Sequence, residues 1–287
     1  MAESVAIMIW PMTSPALAGL LEDDIRFGDL TTRALGIGAA PGRISFAARG
    51  ALRLCGVEEA AQMLAGLGAE ITFSAVSGVD VAASELVLAA TGPACGLHAG
   101  WKMAQLVMEF ASGVATEAAA IVEAAAGIPV MVTRKSTPFT RALSLKAALA
   151  GGTEIHRLGL HDTIMIFPEH LVFFAGGLAE AVATARRHAP ERAVMVEVTD
   201  QASVREAALA GADVIQLEKF SPEAAAEAVR AVTRRADGRP FIATAGGVNA
   251  QNAAAYAAAG VDTMVTSAPF SAKPLDISVK MEMAARG

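Results

Sequence analysis

The chain has 287 residues, 54% of them hydrophobic and 18% charged. That is enough apolar material for one large barrel or two smaller domains with their own cores, and it excludes a largely disordered protein. A formal net charge of -6 and a pI near 5.4 give no general attraction to phosphodiester backbones, so nucleic acid is not an expected partner and an anionic ligand needs a local cluster of cations.

From the start, Ser4 to Leu21 is apolar enough for a signal peptide, but Glu3 replaces a basic n-region and Pro11 interrupts the stretch, so it is expected to be part of the fold. Ala16 to Leu21 has helical spacing, and Asp23 to Thr32 reads as a turn-rich connection. Arg43 to Arg53, Ile71 to Val76 and Glu85 to Thr91 have strand-like patterns, with a helical pattern from Val57 to Leu67 between them. Strands in a run with a helix interposed imply an α+β domain. Cys55 and Cys95 have no second cysteine two residues away. Two free thiols in a cytoplasmic protein are the simplest expectation, with a disulfide between them as the alternative.

From about His98 the pattern becomes a cycle. A helix from Gly100 to Ala126 leads to a strand from Pro129 to Thr133, and a helix from Thr140 to Ala150 to a strand from Asp162 to Ile166. Helices from Leu178 to His188, Ser203 to Ala210, Pro222 to Ala236 and Gln251 to Ala259 then alternate with strands from Ala193 to Val198, Asp213 to Leu217, Pro240 to Ala243 and Asp262 to Thr266. Gly211, Gly238 and Gly260 supply left-handed C-caps. About six βα units favour a closed or nearly closed parallel barrel. A doubly wound sheet is the alternative, although no strand precedes a Gly-x-Gly-x-x-Gly fingerprint. The greasiest stretch, Phe110 to Val132, contains Glu117 and Glu123 and a Gly-Ile-Pro break. It is expected to be a buried helix feeding a strand, with no membrane partner.

Barrel ligands sit where strands end. Thr133-Arg134-Lys135 follow the first strand, His156-Arg157 stand before the second, Glu197 ends the third and Glu218-Lys219 the fourth. Ala245-Gly246-Gly247 follow the fifth and Ser267-Ala268 the sixth. Bare backbone at the glycines lets N–H groups approach a phosphate, although a Gly-Gly pair is also an ordinary turn. Arg134 and Arg157 offer planar forks for carboxylate or phosphate and Lys135 a point charge. Glu197 and Glu218 suit Mg²⁺, directly or through ordered water; alternatively they pair with the three cations in a structural network. His161 and His170 lack metal-ligand spacing, so no zinc site is expected.

Taken in register, Glu22-Asp23-Asp24 with Gly28-Asp29-Leu30-Thr31-Thr32, Ser112-Gly113-Val114-Ala115-Thr116, Thr133-Arg134-Lys135-Ser136-Thr137-Pro138, His156-Arg157-Leu158-Gly159-Leu160, Val196-Glu197-Val198 and Leu275-Asp276-Ile277-Ser278 resemble the motifs of type II phosphoribosyltransferases, the quinolinate phosphoribosyltransferase family. The likeness runs from Leu20 to Lys280. It implies an N-terminal α+β sandwich over residues 1–105, joined by the tail 274–287, and an open seven-stranded α/β barrel over 106–273. It also implies a homodimer, or an assembly of dimers, in which each site borrows a basic residue from its neighbour, with Lys102 at that position. Thr133, Arg134, His156 and Arg157 then fall at substrate-binding positions, Lys135, Glu197 and Glu218 at catalytic ones, and Ala245, Gly246, Gly247, Ser267 and Ala268 at the phosphate loops. Phosphoribosyl pyrophosphate with Mg²⁺ is the implied co-substrate.

Where the family has a lysine, this chain has Phe167 in Ile166-Phe167-Pro168-Glu169-His170; Glu218-Lys219 replaces Asp-Asn, Ala245 a serine and Pro269 a glycine. These departures resemble the branch of the family encoded beside molybdate transport. They imply an acceptor other than quinolinate, with one carboxylate fewer or with a larger flat ring that stacks on Phe167. From the residues alone, a non-catalytic protein that senses molybdate or a phosphorylated metabolite at the same cationic mouth is the second candidate.

Overall fold

The computed structural model describes residue 12 and residues 14–234, 236–238 and 240–284. The part of the expected N-terminal structure from Ser4 to Pro11 lies outside them. In chain order the elements are α1 (Ser14–Ile25), α2 (Leu30–Ala34), β1 (Pro41–Ala48), β2 (Leu52–Arg53), α3 (Val57–Gly66), β3 (Glu70–Ser74), β4 (Asp80–Val81), β5 (Leu86–Pro93), α4 (Ala94–Ala124), β6 (Val130–Val132), α5 (Arg141–Ala150) and β7 (Glu154–Ile155). They continue with β8 (Ile164–Ile166), α6 (Pro168–Leu171), α7 (Gly177–His188), β9 (Val194–Val198), α8 (Gln201–Leu209), β10 (Val214–Glu218), α9 (Pro222–Ala231), β11 (Phe241–Ala245), α10 (Ala253–Ala258), β12 (Thr263–Thr266) and β13 (Ile277–Met283). The chain forms two units, one of residues 1–119, 137–152 and 269–287, the other of 120–136 and 153–268.

In the first unit an antiparallel sheet has the order β13-β1-β5-β3. Its apolar side, with Ile44, Phe46, Leu88 and Ala90, packs with Val57, Ala60 and Leu64 of α3 and Leu97, Ala104 and Met108 of α4. Helix α4 begins six residues before the expected Gly100, because two glycines in its first turns serve close packing. A Cβ on Gly96 would meet the Leu67 carbonyl oxygen at 2.2 Å, and one on Gly100 the Leu67 side chain at 2.9 Å. Where a turn-rich connection is expected, Asp29 caps the short helix α2 by accepting the Thr31 N–H at 2.9 Å. The expected strand from Arg43 to Arg53 divides into β1 and β2 beyond a register shift at Phe46/Ala47. Cys55 is buried, Cys95 exposed, and both are free thiols.

The boundary expected after residue 105 falls inside α4, and residues 137–152, which carry α5, belong to the first unit. A buried ionic cluster ties α5 to α3. Lys146 Nζ donates to Glu58 Oε2 at 2.8 Å and to Glu59 Oε2 at 2.5 Å, and the side chains of Lys146 and Glu59 are 3% and 0% exposed. Burial pushes Glu58 up, but hydrogen bonds from Lys146 and from the Ser77 hydroxyl and amide outweigh it and hold the carboxyl below its ordinary value. Burial likewise pushes Lys146 down, and the two glutamates more than reverse this.

The second unit is a seven-stranded parallel sheet of order β7-β6-β12-β11-β10-β9-β8. The last strand, β12, pairs with the first, β6, and the curved sheet stays open between β7 and β8, as an open barrel does. Its outer side packs Val196, Val198, Ile215, Leu217 and Ile242 against Val204, Ala207, Ala225, Ala228 and Tyr256 of the helices. Gly211 and Gly260 end α8 and α10 with φ of 81° and 83°. The sequence pattern missed β7, so His156 and Arg157, which stand before β8 as expected, also directly follow a strand. Helix α9 also ends at Ala231, short of the expected Ala236.

Candidate functional site

Every site residue expected from the sequence except Lys102 belongs to the second unit, at the C-terminal ends of its strands. Thr133 follows β6, where its N–H donates to the Thr266 carbonyl at 3.0 Å and its hydroxyl accepts the Lys135 N–H at 3.1 Å. Arg134 and Lys135 are exposed. On the neighbouring strand end, His156 N–H donates to the Val132 carbonyl at 3.1 Å, and Arg157 is only 7% exposed. Burial, then the like charge of Arg134, pulls Arg157 below the ordinary arginine value, against the pull of Asp162 and Glu197. Burial and the adjacent Arg157 push His156 down to about 4, so the imidazole is neutral at pH 7.

Across the open edge, Arg157 Cζ lies 5.7 Å from the centroid of the Phe167 ring, at the end of β8. A cation over an aromatic face thus joins two strand ends that share no backbone ladder. Phe167 also stacks on His170, with centroids 5.6 Å apart and planes at 24°, while its N–H donates to His170 Nδ1 at 3.0 Å. The ring therefore already carries two flat partners, and stacking of a large acceptor on Phe167 would have to displace one of them.

Glu197 and Glu218 stand on adjacent strands. Burial, then the charge of Glu218, raises the Glu197 carboxyl above its ordinary value; a hydrogen bond from Gln216 and the charge of Lys135 oppose this, and Glu169 adds to it. Among the ion pairs of the described residues none joins Arg134, Lys135 or Arg157 to either glutamate. Cations and carboxylates feel one another without touching, which leaves both sets for a ligand instead of the structural network considered above.

Beside Glu218 the chain requires glycine. Gly246 has φ 83°, and a Cβ there would meet Glu218 Oε1 at 2.8 Å, its Cδ at 2.9 Å and Lys219 Cγ at 2.7 Å. Gly247 follows at φ 109° with open space around the Cβ position, and its carbonyl accepts from Asn249 Nδ2 at 3.2 Å and Asn252 Nδ2 at 2.9 Å. Lys219 adopts φ 59° without being glycine, its N–H donating to the Ala245 carbonyl at 2.8 Å. Ser267 and Ala268 follow β12, but the Ala268 N–H is already engaged by Thr266 Oγ1 at 3.0 Å. That removes one donor expected for a phosphate.

Lys102 belongs to the first unit. It is exposed, with Nζ 4.0 Å from the Trp101 ring centroid and donating to Gln105 Oε1 at 3.0 Å. Sequence reasoning missed Gln216, Glu169 and Asp162. The signal available for Gln216 was its period-2 place, two residues before Glu218 on the same strand. Among the described residues no group of three or more His, Cys, Asp or Glu is arranged to hold a metal, so the two glutamates fit Mg²⁺ only as a pair completed by water or a ligand's oxygens.

Comparison with known proteins places this geometry. Residues 114–280 match the model of the quinolinate phosphoribosyl transferase C-terminal domain, and residues 29–112 that of its N-terminal domain. The chain is similar to ModD of Rhodobacter capsulatus, a protein assigned provisionally as a pyrophosphorylase, with 47% identity over 244 residues covering 83% of this chain and 93% of the relative. It is 30% identical to the human nicotinate-nucleotide pyrophosphorylase (carboxylating), over 98% of this chain and 95% of that one. Among solved structures, NadC from Streptococcus pyogenes superimposes with a TM-score of 0.86 at 28% identity, covering 96% of this chain and 100% of its own. The nicotinate-nucleotide pyrophosphorylase from Francisella tularensis does so at 0.86 and 26%, covering 96% and 99%.

Proposed function

Because the chain belongs to the quinolinate phosphoribosyltransferase family, we propose that its barrel mouth transfers a 5-phosphoribosyl group from phosphoribosyl pyrophosphate to a ring nitrogen of a small acidic heterocycle. The C1–O bond to pyrophosphate breaks, with the electron pair leaving on pyrophosphate, and the acceptor nitrogen's lone pair forms the new C1–N bond. The observation that carries this is the divided charge of one mouth, where Lys135 and Arg157 lie within electrostatic reach of Glu197, Arg134 within reach of Arg157 and Glu218 within reach of Glu197, with no ion pair among them. The cations clamp anionic groups of donor and acceptor, the two carboxylates favour the positive charge that develops on the sugar, and bare backbone at Gly246 and Gly247 admits the 5-phosphate. Glu197 and Glu218 would hold Mg²⁺ through water, and the ion would supply charge neutralisation for the leaving pyrophosphate.

Phe167 in place of a cation favours an acceptor with one carboxylate fewer than quinolinate. A homodimer with Lys102 completing the partner's site, a cytoplasmic location and, through the ModD likeness, a place in molybdenum metabolism belong to the same proposal. The test is pyrophosphate release from phosphoribosyl pyrophosphate and Mg²⁺ with a panel of pyridine and pterin carboxylates. Release with at least one acceptor is expected. Saturable binding of these anions without release from any of them would favour a binding protein.

A further inference from the structure

The inner side of the barrel sheet holds a polar group that the proposed chemistry leaves unused. On β10, Ile215 and Leu217 pack into the outer core, so Gln216 and Glu218 face inward, on the side where Ala243, Ala245 and Val265 cluster. Gln216 is 4% exposed and stands in register with Glu197 of β9, to whose Oε2 its Nε2 donates at 2.8 Å. An ionised carboxylate only accepts, so the amide nitrogen must face it and the carbonyl must face away. That carbonyl, Oε1, is buried and has no hydrogen-bond partner among the described residues. Native interiors hold few such acceptors, and its neighbour in register on β11 is the small Ala243.

We propose that Gln216 is a further binding residue of this mouth: Nε2 fixes Glu197, and Oε1 accepts a hydrogen bond from a sugar hydroxyl of a ribose phosphate whose phosphate end lies at Gly246 and Gly247. The inference rests on the phosphoribosyl transfer proposed above and adds the residue that reads the sugar. Glu197, Glu218 and Gln216 together present acceptors to the ligand. A sugar, which brings donors, satisfies them, whereas the phosphate end, which only accepts, takes the cations and bare backbone N–H groups.

Calorimetric binding of ribose 5-phosphate and of inorganic phosphate to wild type and Gln216→Met tests this. Wild type should bind the sugar phosphate more tightly than phosphate; the variant should lose about five- to tenfold for ribose 5-phosphate, the worth of one hydrogen bond, with phosphate unchanged. Gln216→Asn, which draws the amide back by one methylene, should lose the same selectivity and serves if the methionine variant does not fold. An unchanged preference overturns the inference, because the carbonyl then has some other partner. Equal weakening of both ligands also overturns it, by reducing Gln216 to a structural role, as does a wild type indifferent to the sugar. Absence of pyrophosphate release with the sugar-selective loss intact would sink the proposed reaction and leave Gln216 as a sugar-reading residue.

Discussion

Lys146→Met is expected to unfold the α5 unit well before the wild type. Methionine matches the stem but removes the ammonium that serves Glu58 at 2.8 Å and Glu59 at 2.5 Å. Water reaches Glu58, whose side chain is 34% exposed; Glu59 is fully enclosed, so the substitution leaves a buried charge without a counter-ion, held only by the Met12 N–H, which donates to Glu59 Oε1 at 2.8 Å. Breaking a buried pair in this way costs about 3–5 kcal/mol, and at about 2–4 °C per kcal/mol for a chain of this size the midpoint should fall by roughly 6–20 °C. The pH dependence has a defined sign. In the wild type Glu58 is depressed and Lys146 raised; the cluster's contribution is thus lost as pH falls through the folded Glu58 value, and at the alkaline end as pH rises through the folded Lys146 value. In the variant Glu58 keeps the bonds from Ser77 but loses the ammonium, so its carboxyl is held down less than in the wild type and the deficit should shrink as pH falls from 7 to 5. Urea unfolding of both proteins at pH 5 and pH 7 measures this, with Lys146→Met/Glu59→Gln expected to recover most of the loss. A deficit at pH 7 below about 1 kcal/mol, the size of an exposed pair, or one that widens toward acid would refute the argument.

Gly246→Ala should push the Glu218 carboxylate aside, because the new Cβ lies 2.8 Å from Oε1; turnover should drop on the order of 10²-fold, while Gly211→Ala, at a similar φ of 81° with open space around it and outside the mouth after α8, serves as the control for backbone strain alone. Equal activity in the two variants would contradict the steric argument. Quinolinate should be a poor acceptor and Phe167→Lys should raise its kcat/KM; efficient wild-type turnover would show that another cation replaces the missing one. Crystals grown in sulfate or phosphate should carry an anion at Gly246-Gly247 or beside Arg134 and Arg157, which soaking and anomalous or difference density would reveal or deny. Sedimentation at micromolar concentration should give a dimer, and a monomer would count against Lys102 completing a neighbour's site.

The βα cycle was legible because each helix had a 3.6-residue pattern and a glycine or proline stop, and because strands such as Val194–Val198 are continuous apolar runs. The misses have local causes. Strand β7 is two residues long, Glu154 and Ile155, too short for any periodicity. By contrast β13 alternates Ile277, Val279, Met281 and Met283 with Ser278, Lys280 and Glu282, a plain period-2 signal hidden inside what was taken only as a tail. The start of α4 was obscured because Gly96 and Gly100, poor helix formers, are there to let α4 approach Leu64 and Leu67. At the mouth, charges and glycines announced themselves by position after strands. Gln216 offered only its period-2 place before Glu218, since its importance lies in which way a buried amide points, and the register with Glu197 on the neighbouring strand fixes that.

The pairing of β12 with β6 and of β13 with β1 also governs when this protein can mature during synthesis. Val130 waits for Met264, and Gly42 waits for Met283, so each unit leaves a raw strand edge exposed until a strand made much later has emerged. Such edges are templates for pairing with other nascent chains. Loss of the segment from Thr263 to Met283 would therefore damage both units at once instead of sparing the one made first.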